Sequence, residues 1–243
     1  MMQSKKFYLA LMGLMILVGS VCAQQAADPK WTGQVNAGWT STSGNTKSSN
    51  ISLGISAERR TEKDRITLGS DYAKGKVNDV VNEEWWRSNA KYDYFINKVW
   101  YGFVNGRYET DDIANLDSRT VLGAGAGRQL IETKRTNLSC ELGMANINEK
   151  YSTNKSNSEV TAQASYKLTH QIIDTVQLVH DLSYYPSTSD FADYYLTSTL
   201  ELRANFTKTM FANFKAIYSR DASPAAGQAN SDIKYIVGIG MGF

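Results

Sequence analysis

Few side chains in this sequence are suited to making or breaking bonds, and their spacing does not favour it. His170 and His180 are the only imidazoles among 243 residues. A serine nucleophile needs a base held within hydrogen-bond reach, and the string Val179-His180-Asp181-Leu182-Ser183 sets a histidine three residues from a serine. Residues three apart in a regular strand point to opposite faces, so Ser183 and His180 are not expected to meet. His170 stands beside Gln171 in a segment read as a solvated turn. Metal sites need several ligands at set spacing, and two histidines with an isolated Cys140 supply none. Neither a metal nor another cofactor is expected. The glycines of Gly123-Ala-Gly-Ala-Gly127 would cradle a phosphate only in a strand-to-helix turn. Here they alternate along one segment, with Asp117 and Arg119 continuing their face, and are read as strand glycines that give room or relieve curvature.

Charge at alternate positions is abundant instead. Arg87, Lys91 and Asp93 share one face of a segment, Arg107 and Glu109 that of the next, and Asp117 and Arg119 that of a third. Glu159 and Lys167, Glu201 and Arg203, and Lys215 extend the pattern. Rings of charged side chains set ion selectivity in a pore. These residues are the candidate lining of a lumen, which requires strands whose other face is apolar.

That other face is present throughout. Trp31, Gly33, Val35, Ala37 and Trp39 alternate with Thr32, Gln34, Asn36 and Gly38, the period of a strand with one apolar face. The period recurs near residues 51–57, 66–72, 86–94, 100–108, 116–126, 138–144, 160–168, 176–184, 194–206, 210–218 and 233–243, which predicts twelve strands. Short connections near 59–64, 97–98, 131–135, 169–174 and 207–209 alternate with longer polar ones near 40–48, 74–83, 110–115, 146–157, 186–193 and 220–232. An even strand count with alternating short turns and long loops is the pattern of outer-membrane barrels. Pro29, Pro186 and Pro224 all fall outside the predicted ladders, to which they could not donate.

A soluble β-sandwich would also alternate, but its charged face could not form a core. The large aromatics sit near strand ends, with Trp31 and Trp39, Trp86 and Tyr94, and Trp100 and Tyr108 each eight residues apart. Tyr218 follows Met210, and Phe243 follows Tyr235, at the same interval. Eight steps of about 3.3 Å, tilted near 40°, span roughly 20 Å, close to the apolar band of a membrane barrel with its aromatic girdles. The expected fold is therefore all-β, a transmembrane antiparallel up-and-down barrel of about twelve strands in contact with outer-membrane lipid. The final strand, ending Tyr235, Val237, Ile239, Met241 and Phe243, has the form of a C-terminal assembly signal. Phe243 is expected to engage the barrel assembly machinery, with periplasmic chaperones as transient partners.

Lys5, Lys6 and the apolar run Leu9–Val21, closed by Val21-Cys22-Ala23, predict a cleaved signal peptide over 1–23 and a barrel domain over 24–243. The sequence carries 26 basic and 24 acidic residues. Cleavage removes Lys5 and Lys6, leaving the barrel neutral and without the basic excess that nucleic-acid binding needs. It also removes Cys22 and leaves Cys140 without an intramolecular partner. A monomer is expected.

Several strings acquire meaning together: Gly44-Asn45-Thr46, Tyr92-Asp-Tyr-Phe95, Arg107-Tyr-Glu-Thr-Asp111, Asn115-Leu-Asp-Ser-Arg119 and Leu122-Gly-Ala-Gly-Ala-Gly127. In combination the chain resembles the salt-induced outer-membrane protein family, whose function is unknown. The resemblance implies a barrel in the cell outer membrane and carries over no substrate or catalytic residues; the family name suggests a link to osmotic conditions. Two readings stay open on the residues alone: a narrow channel for ions or small solutes, and a closed structural or receptor-type barrel. An outer-membrane lipid hydrolase is a third reading, weakened because the chain lacks the Ser-Asn-Gly of the twelve-stranded phospholipases.

Overall fold

Period-two alternation becomes twelve strands in the computed structural model, which describes residues 31–42, 47–153, 156–224 and 229–243. The expected signal peptide lies outside these residues, as does the string Gly44-Asn45-Thr46. The strands are β1 (Trp31–Thr42), β2 (Ser48–Arg60), β3 (Asp64–Val77), β4 (Val80–Phe95), β5 (Trp100–Asp111) and β6 (Leu116–Glu132). They continue with β7 (Thr136–Tyr151), β8 (Ser156–Ile173), β9 (Val176–Pro186), β10 (Tyr194–Asn205), β11 (Met210–Asp221) and β12 (Ser231–Gly242). Each pairs antiparallel with its sequence neighbours, and β1 pairs with β12, so the sheet closes into a barrel. Closure removes the open edge whose unpaired backbone groups would be costly in lipid.

The expected apolar face is the outer one. Val35, Leu53, Leu68, Val104, Leu122, Leu142, Met144, Val160, Val237 and Ile239 are all exposed on it. Of the girdle aromatics, Trp39, Tyr94, Trp100, Tyr108, Tyr235 and Phe243 are exposed, while Trp31, Trp86 and Tyr218 are half-buried on the same face. Trp86 packs edge-on against Tyr108, with ring centroids 5.5 Å apart. The core lies inside the barrel, where Val121, Ala145, Ile147, Tyr185 and Tyr195 form one buried cluster and Ala73, Trp85, Ile217 and Ile236 another.

Strand ends differ from the sequence reading, and the reason is physical. The 74–83 segment, read as a loop, is mostly ladder: β3 and β4 pair as far as Val77↔Val80, and only Asn78 and Asp79 turn, both at positive φ (49° and 64°). A two-residue turn with both central residues left-handed matches strand twist and suits Asn and Asp. Beyond an apolar belt both faces of a hairpin meet water, so alternation fades while pairing continues.

Asp117 requires a correction. It was expected to line the lumen, yet it is exposed, at a shift in register between Leu116 and Ser118. Two residues face one across this bulge, so Leu116 turns inward and is buried, and Arg119 keeps its inward position. The Asp117 carboxylate accepts a hydrogen bond from Ser152 Oγ at 2.6 Å in the neighbouring connection.

Phe243 closes the seam: its N–H and carbonyl both bond the backbone of Gly33, at 2.9 Å each. Deleting Phe243 removes both bonds at one end of one strand pair. The expected result is a small fall in the urea midpoint of refolded barrel in detergent and a severalfold loss of heat-modifiable protein in outer membranes. Normal yield in membranes would show that assembly does not read this residue.

Candidate functional site

The inner face brings distant strands into contact through charge. Arg119 on β6 is almost fully buried and bonds Glu149 on β7 (Nε–Oε1 2.5 Å) and Asp221 on β11 (2.9 Å). Its guanidinium also lies over the Tyr195 ring, 4.2 Å from the centroid, and 3.7 Å from Glu109. Arg87 on β4 pairs with Glu109 on β5 at 2.9 Å and reaches Thr197 on β10, half the barrel away in the closed strand order. Tyr195 donates to Glu109 at 3.1 Å. Lys215 on β11 meets Asp71 on β3 at 2.8 Å, and Lys234 on β12 meets Asp111 on β5 at 2.8 Å. The contacts of Arg119 with Asp221, of Arg87 with Thr197 and of Tyr195 with Glu109, together with the two lysine pairs, cross the lumen between strands four to six positions apart around the wall.

Together with the two apolar clusters they narrow the half of the lumen nearer the longer connections, leaving a cavity of about 110 Å³ among Arg87, Asp111, Arg119, Asp221 and Lys234. At that end Asp112 has its carboxyl raised above the usual range by partial burial and by the neighbouring Glu84 and Asp111 carboxylates.

Toward the end that carries the short turns the lumen widens into a cavity of about 600 Å³. Its wall includes Arg87, Lys91, Arg107, Lys167, Glu201, Arg203 and Lys215 among the expected charges. Most are neutralised locally. Lys91 bonds Asp93 at 2.7 Å and also Glu141, Arg65 bonds Asp93 at 2.6 Å, and Arg203 bonds Glu201 at 3.3 Å. Arg107 approaches Glu109 at 3.8 Å, while Lys167 faces Asp181 in register across β8 and β9. Glu159 stands half-buried on the inner face of β8, two residues from buried Thr161. Amides and hydroxyls fill the space between charges, among them Gln34, Asn36, Asn89, Asn105, Gln163, Ser165 and Thr199.

Sequence reasoning missed several of these groups. Glu149 and Asp221 were assigned to loops, because the hairpins run past the apolar belt, and Arg65 stands between the predicted turn 59–64 and the predicted strand from Ile66. Lys234, by contrast, was expected on the lumen face of the last strand and is found there. Period-two parity carried past the apolar belt would have found Arg65, Glu149 and Asp221. Which carboxylate each cation meets depends on barrel stagger and has no local signal.

Among the polar groups on the outer face, His180 stands in a cluster at mid-strand. His180 Nε2 shares a hydrogen bond with Ser198 Oγ at 2.9 Å, and Nδ1 shares one with Tyr166 OH at 2.8 Å. Ser183, the serine weighed in the sequence, is buried on the inner face as expected. A serine hydroxyl on an imidazole is the first contact of a hydrolytic pair. Here, however, His180 lies in register between Leu168 and Leu200, and both its ring nitrogens are already engaged by Tyr166 and Ser198. Among the described residues no group of three or more His, Cys, Asp or Glu could hold a metal ion.

Comparison with known proteins agrees with this architecture. The family described as a protein of unknown function, DUF481, matches residues 35–243. The uncharacterized protein YdiY of Escherichia coli (strain K12) is 25% identical over 158 residues, 65% of this chain and 63% of that protein. The match thus spans less than two thirds of the curated relative. Among solved structures the NanC porin superposes with a TM-score of 0.50 at 11% identity, covering 86% of this chain and 98% of that one. The KdgM porin gives 0.48 at 13% identity, over 88% and 99%. The likeness to NanC is one of fold: a closed antiparallel transmembrane barrel.

Proposed function

The chain belongs to DUF481, a family of unknown function, and we propose that its member here is an outer-membrane channel, narrow and charge-lined, for ions or small solutes. A cleaved leader over 1–23 delivers it, a monomeric barrel over 24–243 inserts into lipid, and the short turns face the periplasm. The cavity of about 600 Å³ carries this reading: a lumen that wide, walled by polar side chains, has no use in a barrel that only fills space. Twelve strands lie between the eight that side chains fill and the sixteen that leave a wide aqueous bore. The NanC porin, named as such, shares the fold. A link to salt conditions belongs to the proposal and rests on family resemblance alone.

The cross-lumen pairs favour a second reading, a barrel shut at rest. Both are tested by planar-bilayer recording of the purified protein in KCl. The channel reading expects small discrete conductance steps, and they should grow severalfold in Lys234→Ala, which frees Asp111 and opens the narrow half. A heat-modifiable barrel that never conducts, in either form, supports the shut barrel. Phospholipid hydrolysis lost in Ser198→Ala would overturn the non-enzymatic reading.

A further inference from the structure

The hydrogen-bonding groups left over in the lumen define what it is built to hold. Asn105 on β5 and Gln163 on β8 both lay their side chains over Gly123 on β6. A Cβ there would lie 2.4 Å from Asn105 Oδ1 and 2.2 Å from Gln163 Oε1. The missing side chain is therefore the space the two amides occupy, and it brings their oxygens within a few ångströms of each other. Both oxygens are buried and have no donor, and Gln163 is only 2% exposed. On the facing wall Gln34 Oε1 on β1 is likewise buried without a donor. Arg107 Nη1 and Arg203 Nε are buried donors without acceptors. All five residues line the same cavity.

The leftover capacity is thus mixed, acceptors and donors together, whereas the charges are largely spent on one another. The wall carries both signs, so an anionic ligand would meet Asp71, Glu141, Asp181 and Glu201, and a cation would meet Arg107, Lys167, Arg203 and Lys215. A hydroxyl both donates and accepts, so a polyhydroxylated molecule satisfies both kinds of group without moving an ion pair. The volume is of the size that small-molecule sites occupy, about 300–1,000 Å³. We propose that the cavity is a binding site for an uncharged polyhydroxylated solute of about disaccharide size, held by Asn105 and Gln163 above Gly123 and by Gln34 opposite. This assigns a substrate class to the channel and rests on that reading for transport, though not for binding.

The test is saturation-transfer NMR on the purified full barrel in detergent, with sucrose, glucuronate and choline as separate probes. Sucrose should receive the strongest transfer. The signal should fall at least severalfold in Gln163→Leu and Asn105→Leu, and remain in Cys140→Ser on the outer face. Gly123→Ala, whose added carbon displaces both amides, should reduce it too and serves if the leucine variants do not fold. No transfer to sucrose, or displacement of sucrose by glucuronate, overturns the assignment. KCl conductance of the same preparations separates the two claims. A barrel that conducts but takes up no sucrose sinks the substrate class and spares the channel; one that holds sucrose but never conducts does the reverse.

Discussion

Replacing Arg119 by methionine is expected to destabilise the folded barrel by about 3–5 kcal/mol, the cost of removing one partner from a buried ionic network. The methionine fills much of the same volume but abandons Glu149, Asp221 and Glu109, which Arg119 joins across the lumen. Their carboxylates would then keep only Arg87 and, farther off, Arg107, both through Glu109. Urea midpoints in detergent measure the loss. Adding Glu149→Gln and Asp221→Asn should recover part of it, because amides tolerate burial without a counter-charge. An unchanged midpoint for the single variant would mean that water already solvates these carboxylates and that the lumen is not narrowed there.

Arginine in place of Leu53 should cost roughly 2–4 kcal/mol, the penalty for a cation facing lipid near the middle of the bilayer. Leu53 is exposed on the outer face at mid-strand, in register between Ala37 and Tyr72. Its charge would have no carboxylate nearby and a long reach to either interface. Lys167→Gln, on the inner face at the wide end of the lumen, should change stability far less, because that side chain already meets the open cavity. Refolding yield into lipid vesicles, read by heat modifiability, compares the two. Tolerance of Leu53→Arg together with loss of folding in Lys167→Gln would invert the assignment of faces.

Twelve strands were legible in the sequence because the requirement behind them is local. A wall between lipid and a polar lumen needs apolar and polar residues at alternate positions, and each segment states this by itself. The pairing of β12 with β1 followed from the cost of an open edge rather than from any motif. What stayed hidden depends on more than one segment. The bulge at Asp117 adds one residue to β6 and reverses parity on one side only, so Leu116 exchanges faces while Arg119 does not. The cross-lumen partners of Arg119, Lys215 and Lys234 lie four or five strands away, set by the stagger and bore of the closed barrel. Ser198 escaped notice because the search for a partner to His180 followed the chain, whereas the contact runs across to the neighbouring strand. The convergence of Asn105 and Gln163 over Gly123 is of the same kind: three unremarkable residues on three strands, joined only by register.

The join between β1 and β12 differs from the other strand pairs in extent. Its ladder runs only from Gln34↔Gly242 to Ala37↔Ile239, with the Gly33–Phe243 bonds at one end, whereas β7 and β8 are laddered from Thr136↔His170 to Lys150↔Ser156. Unfolding of a closed wall begins where the fewest bonds must break before the chain can peel, so the lifetime of the folded protein is governed by this one seam and not by the sum of its contacts. Thermodynamic strength can then accumulate in the lumen network while durability is adjusted independently, by a few residues in the first and last strands.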